Sequence, residues 1–353
     1  MAEGLRVLVA GWVNSPHVAA WAELVKGLGH DVHIAGRVAP GWPELDLGVP
    51  SHRLETNRPP PLRGFALSRA LRRVADDLQP DLVHAHYLPE YGWMAAREGL
   101  RPLICSAWGS DVFTARGINR PRSRRALEAA SLVFADSAHL ARAAGDLARS
   151  NVRVELVRWG LDLEAFAPGD KAAAREALGI PLDGPLVVSP RGPKPVYNPE
   201  LVLRAFDRLR ASRPEVRLLV KHPQAKGSVG AHEGVIALGN VSADRVPDVY
   251  RAADVVVSVA SSDSSPRSVW EALACGRPVI VSDLPWAREE LAPGGQALLA
   301  PLQPDAVAEA IGRVLDDAAL AERLAASGRT LAVSELDSVA CAARVEQLYR
   351  SVL

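Results

Sequence analysis

In the stretch SSDSSPRSVWEALACGRPVIVSD, residues 261–283, an acid, four serines, a proline and an arginine precede a short helical pattern that carries one glutamate. Pro266 suits the first turn of a helix, where a missing N–H costs nothing, and Ser265 then becomes the expected N-cap. The pattern RSVWEALA stops at Gly276, with Pro278 beyond it. Asp263, Ser264 and Ser265 therefore sit in a loop at the carboxyl end of the apolar run 254–260. The main chain of Ser265, Pro266, Arg267, Ser268 and Val269 forms the helix start, whose N–H groups make an anion site. Arg267 adds positive charge. Glu271, one turn in, can accept two hydrogen bonds from a vicinal diol such as a ribose. Asp263 can take a hydroxyl of a second sugar. Together these groups describe a pocket for a sugar joined through a diphosphate to a nucleoside. A capped helix with a surface glutamate fits the same pattern.

The elements that would position this loop are legible along the chain. Apolar runs at 5–11, 31–36, 80–86, 130–137 and 152–157 alternate with helical patterns. The runs are apolar throughout rather than alternating, as expected of parallel strands covered on both faces. Periodicity fails at 159–173, around Pro168-Gly169, which marks a linker. The pattern then restarts, with runs at 185–192, 216–223, 254–260 and 278–283, and closes on helices expected at 304–316, 318–329 and 335–352. The reading is an α/β protein with two Rossmann-like, doubly wound domains facing each other across a cleft. Its expected parts are residues 1–165, 166–334 and a last helix, 335–353, crossing back to the first domain. In such sheets ligands bind beyond the carboxyl ends of the strands.

Composition excludes several classes. The 353 residues are 48% hydrophobic and 23% charged, and Lys+Arg equals Asp+Glu at 41 each. No global field draws the chain to nucleic acid. Cys105, Cys275 and Cys341 are far apart, so neither a disulfide framework nor a zinc site is expected. No run reaches the ~18 apolar residues of a membrane span, and a cytoplasmic protein is expected. Only five basic residues are lysine, which makes each lysine informative. Between residues 58 and 125 there are twelve basic and six acidic residues. An anionic acceptor, peripheral contact with an anionic membrane face, or a solvated surface would each explain that skew.

The pair Asp263 and Glu271, followed by ALACGRPVIVSD, resembles the Glu-x7-Glu segment of glycosyltransferase family 4, the retaining GT-B enzymes. LGNVSADRVPDVYRAADVVVS, VRWGLDLEAFAPGD, SPRGPKPVYNPELVLRAF, HAHYLPEYGWMAA and SAWGSDVF resemble further segments of that family, so the likeness covers nearly the whole chain. It implies a GT-B fold and transfer of a sugar, with retention, from a nucleotide-diphosphate donor to a hydroxyl acceptor. UDP is the default nucleotide and GDP the alternative. No cofactor and no metal are implied, because cations and helix starts hold the leaving diphosphate. A donor phosphate oxygen takes the acceptor proton. Arg191 matches the family arginine, and Val241 falls in the segment around the nucleotide base.

The departures matter. The first acid is aspartate, one methylene shorter than the usual glutamate. The positions that usually carry the family lysine hold Val196 and Tyr197, which leaves Lys194 and Lys221 as candidates for the diphosphate. Trp108 stands where many members have histidine and can stack on a ring or be buried. The first loop has Ser15, Pro16 and His17 in place of Gly-Gly. With His86, Tyr87 and Asp111 these form the expected acceptor side, and of the 84–87 group His86 and Tyr87 are expected to face the cleft. A sugar-nucleotide epimerase on the same fold and a non-catalytic nucleotide-sugar-binding protein remain the alternatives.

Overall fold

The computed structural model describes residues 3–40, 48–222, 224–229 and 232–353. Pro223, at the end of the apolar run 216–223, lies outside them. The chain divides into two compact units, Met1–Gly160 with Val339–Leu353, and Leu161–Ser338.

The first unit is built on β1 (Arg6–Ala10), β2 (Asp31–Gly36), β3 (Ser51–Arg53), β4 (Leu82–His86), β5 (Leu103–Ser106), β6 (Leu132–Ala135) and β7 (Val154–Leu156). Among the described residues they form one parallel sheet, ordered β3-β2-β1-β4-β5-β6-β7. Four of its strands, β1, β4, β5 and β6, are almost wholly buried, because helices cover both faces and leave no solvent side to alternate with. Gly36 lies against the carbonyl of Gly11, where no Cβ fits. This close approach draws the ends of β1 and β2 together.

The last helix, Ser338–Arg350, completes this core. Val345, Leu348 and Tyr349 pack with Val7, Val9, Trp21 and Phe134. The Tyr349 hydroxyl accepts from Trp21 Nε1 at 2.9 Å and meets His84 Nδ1 at 2.7 Å. Tyr349 thus ties the chain's end to the middle of the sheet.

The second unit repeats the plan with β8 (Leu186–Ser189), β9 (Arg217–Lys221), β10 (Val235–Leu238), β11 (Val255–Ser258), β12 (Val279–Ser282) and β13 (Leu298–Ala300). Their order is β10-β9-β8-β11-β12-β13, again parallel.

Several local expectations change. The segment read as a linker to residue 173 gives way at Lys171 to a helix, Lys171–Leu178, with the Asp170 carboxylate accepting from Ala173 N–H at 2.6 Å as its cap. The closing helices are Pro304–Asp316, Ala318–Leu336 and Ser338–Arg350. After β4 the chain enters a π-helical turn, Tyr87–Gly92, that runs into the helix Trp93–Arg97. The arginine-rich segment forms the helix Asn119–Ala129. Among the described residues no helix is long and apolar enough to cross a membrane.

Candidate functional site

In each sheet the strand order reverses once, between β1 and β4 and between β8 and β11. Connections leave such a pair toward opposite faces, so a crevice opens at its carboxyl ends. In the second unit the two loops that border this crevice are 190–198 and 259–266. They bring together Arg191 and the acid-serine stretch from which the chemistry was first read.

Arg191 is the hub. Its guanidinium donates to Asp263 Oδ2 at 2.7 Å and to Ser268 Oγ at 3.2 Å. It also stacks 4.0 Å from the Tyr197 ring centre. The Asp263 carboxylate accepts from Ser264 N–H as well. Burial pushes the Asp263 carboxyl above its ordinary range, against the opposing pull of Arg191. The shorter acid is therefore held by the arginine that the sequence had paired with a phosphate.

Glu271 is also fixed. It accepts from the Tyr250 hydroxyl at 2.6 Å and from Arg267 Nε at 2.9 Å. Burial, with the Glu271 charge beside it, holds Tyr250 protonated far above the usual tyrosine range. The tyrosine is thus a donor and the glutamate an acceptor, with its remaining lone pairs available to a diol. Val269 is fully buried, so it can offer a ligand only its main chain.

Ser265 is not the N-cap. The helix Arg267–Ala274 starts behind Pro266, which occupies the cap position without a side-chain bond. The Ser265 hydroxyl accepts from Trp270 Nε1 at 2.7 Å instead. Because the proline takes the cap position, the serine hydroxyl turns to the indole and locks the loop to its own helix. Gly276, at φ 64, ends that helix, with the N–H of Arg277 on the carbonyl of Ala272.

Lys194 is exposed on the loop after β8, and Lys221 ends β9. Neither is drawn into an ion pair among the described residues. Val241 is half-buried, packed against the unit's core. A small recess of about 20 Å³ beside Arg191 is lined in part by Ser189, Tyr197 and His222. Sequence reading missed Tyr197 and Tyr250 as site residues. Both come from other elements, and only the hydrogen-bonding need of a half-buried arginine and a half-buried glutamate could have called for them.

In the first unit the corresponding loops follow β1 and β4. Ser15 is buried and caps the helix Pro16–Gly27, while Pro16 and His17 are exposed on its first turn. Asp111 is buried, its carboxylate accepting from Leu88 N–H at 3.0 Å and Trp108 N–H at 2.8 Å. Burial pushes its carboxyl up to about 6. Tyr87 and Trp108 are partly exposed. His86, expected to face the cleft, is instead 1% exposed. Its ring is enclosed by His84, Trp21, Trp108 and Trp159. Burial brings its pKa down to about 3, so it is a neutral ring inside the unit. Among the described residues no three His, Cys, Asp or Glu side chains gather as a metal site.

The basic skew of this unit is partly structural. Arg122 stacks on Trp93 at 4.2 Å and Arg97 on Phe65 at 4.4 Å, Arg72 pairs with Asp76, and Arg124 donates to the Leu147 carbonyl.

Residues 170–331 match the family model described as glycosyl transferases group 1, and residues 6–137 match that of the glycosyl transferase 4-like proteins. The chain belongs to glycosyltransferase family 4. D-inositol 3-phosphate glycosyltransferase 2 of Catenulispora acidiphila is 31% identical over 273 residues, 67% of this chain and 62% of that protein. The chain spans only 52% of the corresponding protein of Mycobacterium leprae, at 28% identity over 57% of its own length. Among solved structures, sucrose-phosphate synthase of Thermosynechococcus elongatus superposes with a TM-score of 0.80 at 21% identity, covering 98% of each chain. HepE of Anabaena, solved with UDP and glucose, superposes with a TM-score of 0.80 at 18% identity, covering 98% of this chain and all of that one. These likenesses establish the GT-B fold for this glycosyltransferase family member.

Proposed function

We propose that the protein is a retaining glycosyltransferase that moves a sugar from a UDP-sugar to a hydroxyl acceptor without a metal. One observation carries the reading. Arg191, Asp263 and Ser268 meet at the crevice between β8 and β11, with Glu271 three residues after Ser268 on the same helix, inside the region matched by the group 1 model. Glu271 binds the ribose diol, oriented by Tyr250. The start of the helix Arg267–Ala274, with Arg191 and either Lys194 or Lys221, takes the negative charge that grows on the leaving diphosphate. Asp263, held by Arg191, faces the donor sugar. A donor phosphate oxygen accepts the proton of the attacking hydroxyl, so no protein base is assigned. The acceptor is received by the first unit. The structure of HepE with UDP and glucose supports UDP over GDP as the donor nucleotide.

The test is a thermal-shift panel of UDP, GDP, ADP and TDP on the wild type and on Glu271→Ala. A ligand at a hundred times its dissociation constant adds about 2.7 kcal/mol, a shift of several degrees. Selective stabilisation by UDP, lost in Glu271→Ala, is the expected outcome. A shift with GDP alone would replace the nucleotide. A folded sample that no nucleotide stabilises would overturn the donor site.

A further inference from the structure

The carboxyl ends of β1, β4 and β5 and the segment after β7 carry an unusual density of rings. Trp12 lies 5.1 Å from Tyr87 and 6.0 Å from Trp108, centre to centre. Tyr87 and Trp108 are 6.2 Å apart. His17 meets Trp108 at 5.4 Å and Trp159 at 5.8 Å. His17 is exposed and the other four are partly exposed. Most of these contacts are edge-on, so the set leaves ring faces and edges turned in several directions. Tyr87 is held at φ 73 at the start of the π-helical turn. A non-glycine residue held there is strained, and such strain concentrates at ligand sites.

The polar groups beside these rings are already committed. Both Asp111 oxygens serve main-chain N–H groups. The Asn14 amide bridges to Ala39, donating to its carbonyl and accepting from its N–H. Ser15 caps its helix, and the Ser106 hydroxyl is bound to His84. A polyol needs many free hydrogen-bonding partners, and this surface offers few. No lysine or arginine belongs to the ring set, and His17 is its one titratable cation. Unsatisfied hydrogen-bonding capacity remains beneath the rings: the Trp108 indole N–H and both His86 ring nitrogens are buried without partners among the described residues. A wider polar recess of about 380 Å³, lined by Arg37, Arg53, Arg63, Thr56 and Asn57 among others, lies off the ends of β2 and β3. An anionic ligand would be drawn there rather than to the rings.

We infer that the ring set of Trp12, His17, Tyr87, Trp108 and Trp159 is an acceptor subsite for a planar aromatic aglycone that presents a hydroxyl. The inference rests on the transferase reading for the word acceptor, but its binding claim stands on the first unit alone.

The experiment is ligand-observed saturation-transfer NMR on the full chain. The flat probes are 4-nitrophenol and kaempferol, and the comparison probes are inositol 3-phosphate and glucose. The same four are then offered with UDP-glucose as donor. The phenols should show saturation transfer and should accept sugar. Trp108→Leu and Tyr87→Gly, the latter suited to the left-handed φ, should weaken phenol binding roughly three- to tenfold. The UDP thermal shift should stay unchanged in both variants. Absent transfer to the phenols would overturn the inference, as would inositol 3-phosphate binding that ignores Trp108→Leu. The NMR needs no turnover, so a missing UDP shift sinks the donor reading and leaves this one to be decided by the phenols.

Discussion

Tyr250 and Glu271 show how one residue's role depends on another that is distant in sequence. A carboxylate on the second turn of a short helix could be a plain surface charge. Here it is nearly buried, and the tyrosine hydroxyl gives it a direction. A hydrogen bond to a charged group contributes about 1.5–3 kcal/mol. Tyr250→Phe should therefore lower stability by about that amount in chemical denaturation, and should weaken UDP stabilisation while leaving the fold intact. Unchanged nucleotide binding in that variant would show that the tyrosine serves packing alone. Arg191 and Asp263 were expected as separate contacts, one to phosphate and one to sugar. The structure joins them, so each sets the other's orientation.

Strand β4 carries an unusual electrostatic load. Burial keeps His84 and His86 neutral, with His86 down to about 3. Unfolding returns both to the ordinary value of 6.5. The unfolded chain then binds more protons below that pH, and stability contributed by the neutral rings is lost as pH falls. Asp111 acts in the opposite sense. Its carboxyl is raised from 3.8 to about 6, so the folded state holds a proton that the unfolded state releases, and stability rises as pH falls through 6. Two histidines oppose one aspartate in this cluster, so stability should fall as pH drops below 6.5. Denaturant midpoints measured from pH 7 to 5 should fall. The slope should flatten in His86→Phe, whose ring needs no polar partner. A slope unmoved by that change would mean that His86 is protonated in the folded protein. The histidines were visible as residues at a strand end. Their burial was not, because the rings that enclose them, Trp21, Trp108, Phe134, Trp159 and Tyr349, come from other elements.

At the scale of the molecule, the two units differ in how the chain completes them. The second is continuous. The first depends on Val339–Leu353, whose Tyr349 bonds to Trp21 and His84 in the core. Deleting that segment should destabilise the first unit and leave the second folded. Hydrogen exchange should show lost protection in β1, β4 and the helix Pro16–Gly27, with β8 and β11 unaffected and the UDP shift retained. Uniform loss of protection across both sheets would show that the units fold as one.

Periodicity and punctuation determined much by themselves. Unbroken aliphatic runs marked most of the strands, since a strand buried on both faces must be apolar throughout. Gly276 and Pro278 marked where a helix must stop. The segments matched to a known family pointed to the fold and to Arg191, Asp263 and Glu271. The tertiary structure decided the remainder. It turned Ser265 to Trp270, put Tyr250 on Glu271, coupled Arg191 to Asp263, sealed His86 inside, and gathered rings from four separate segments onto one surface. Local propensity acts over a few residues and leaves its trace in the order of the letters. Hydrogen bonding and ring contact between residues tens or hundreds of positions apart depend on which strands become neighbours, and that is settled only when the sheet closes.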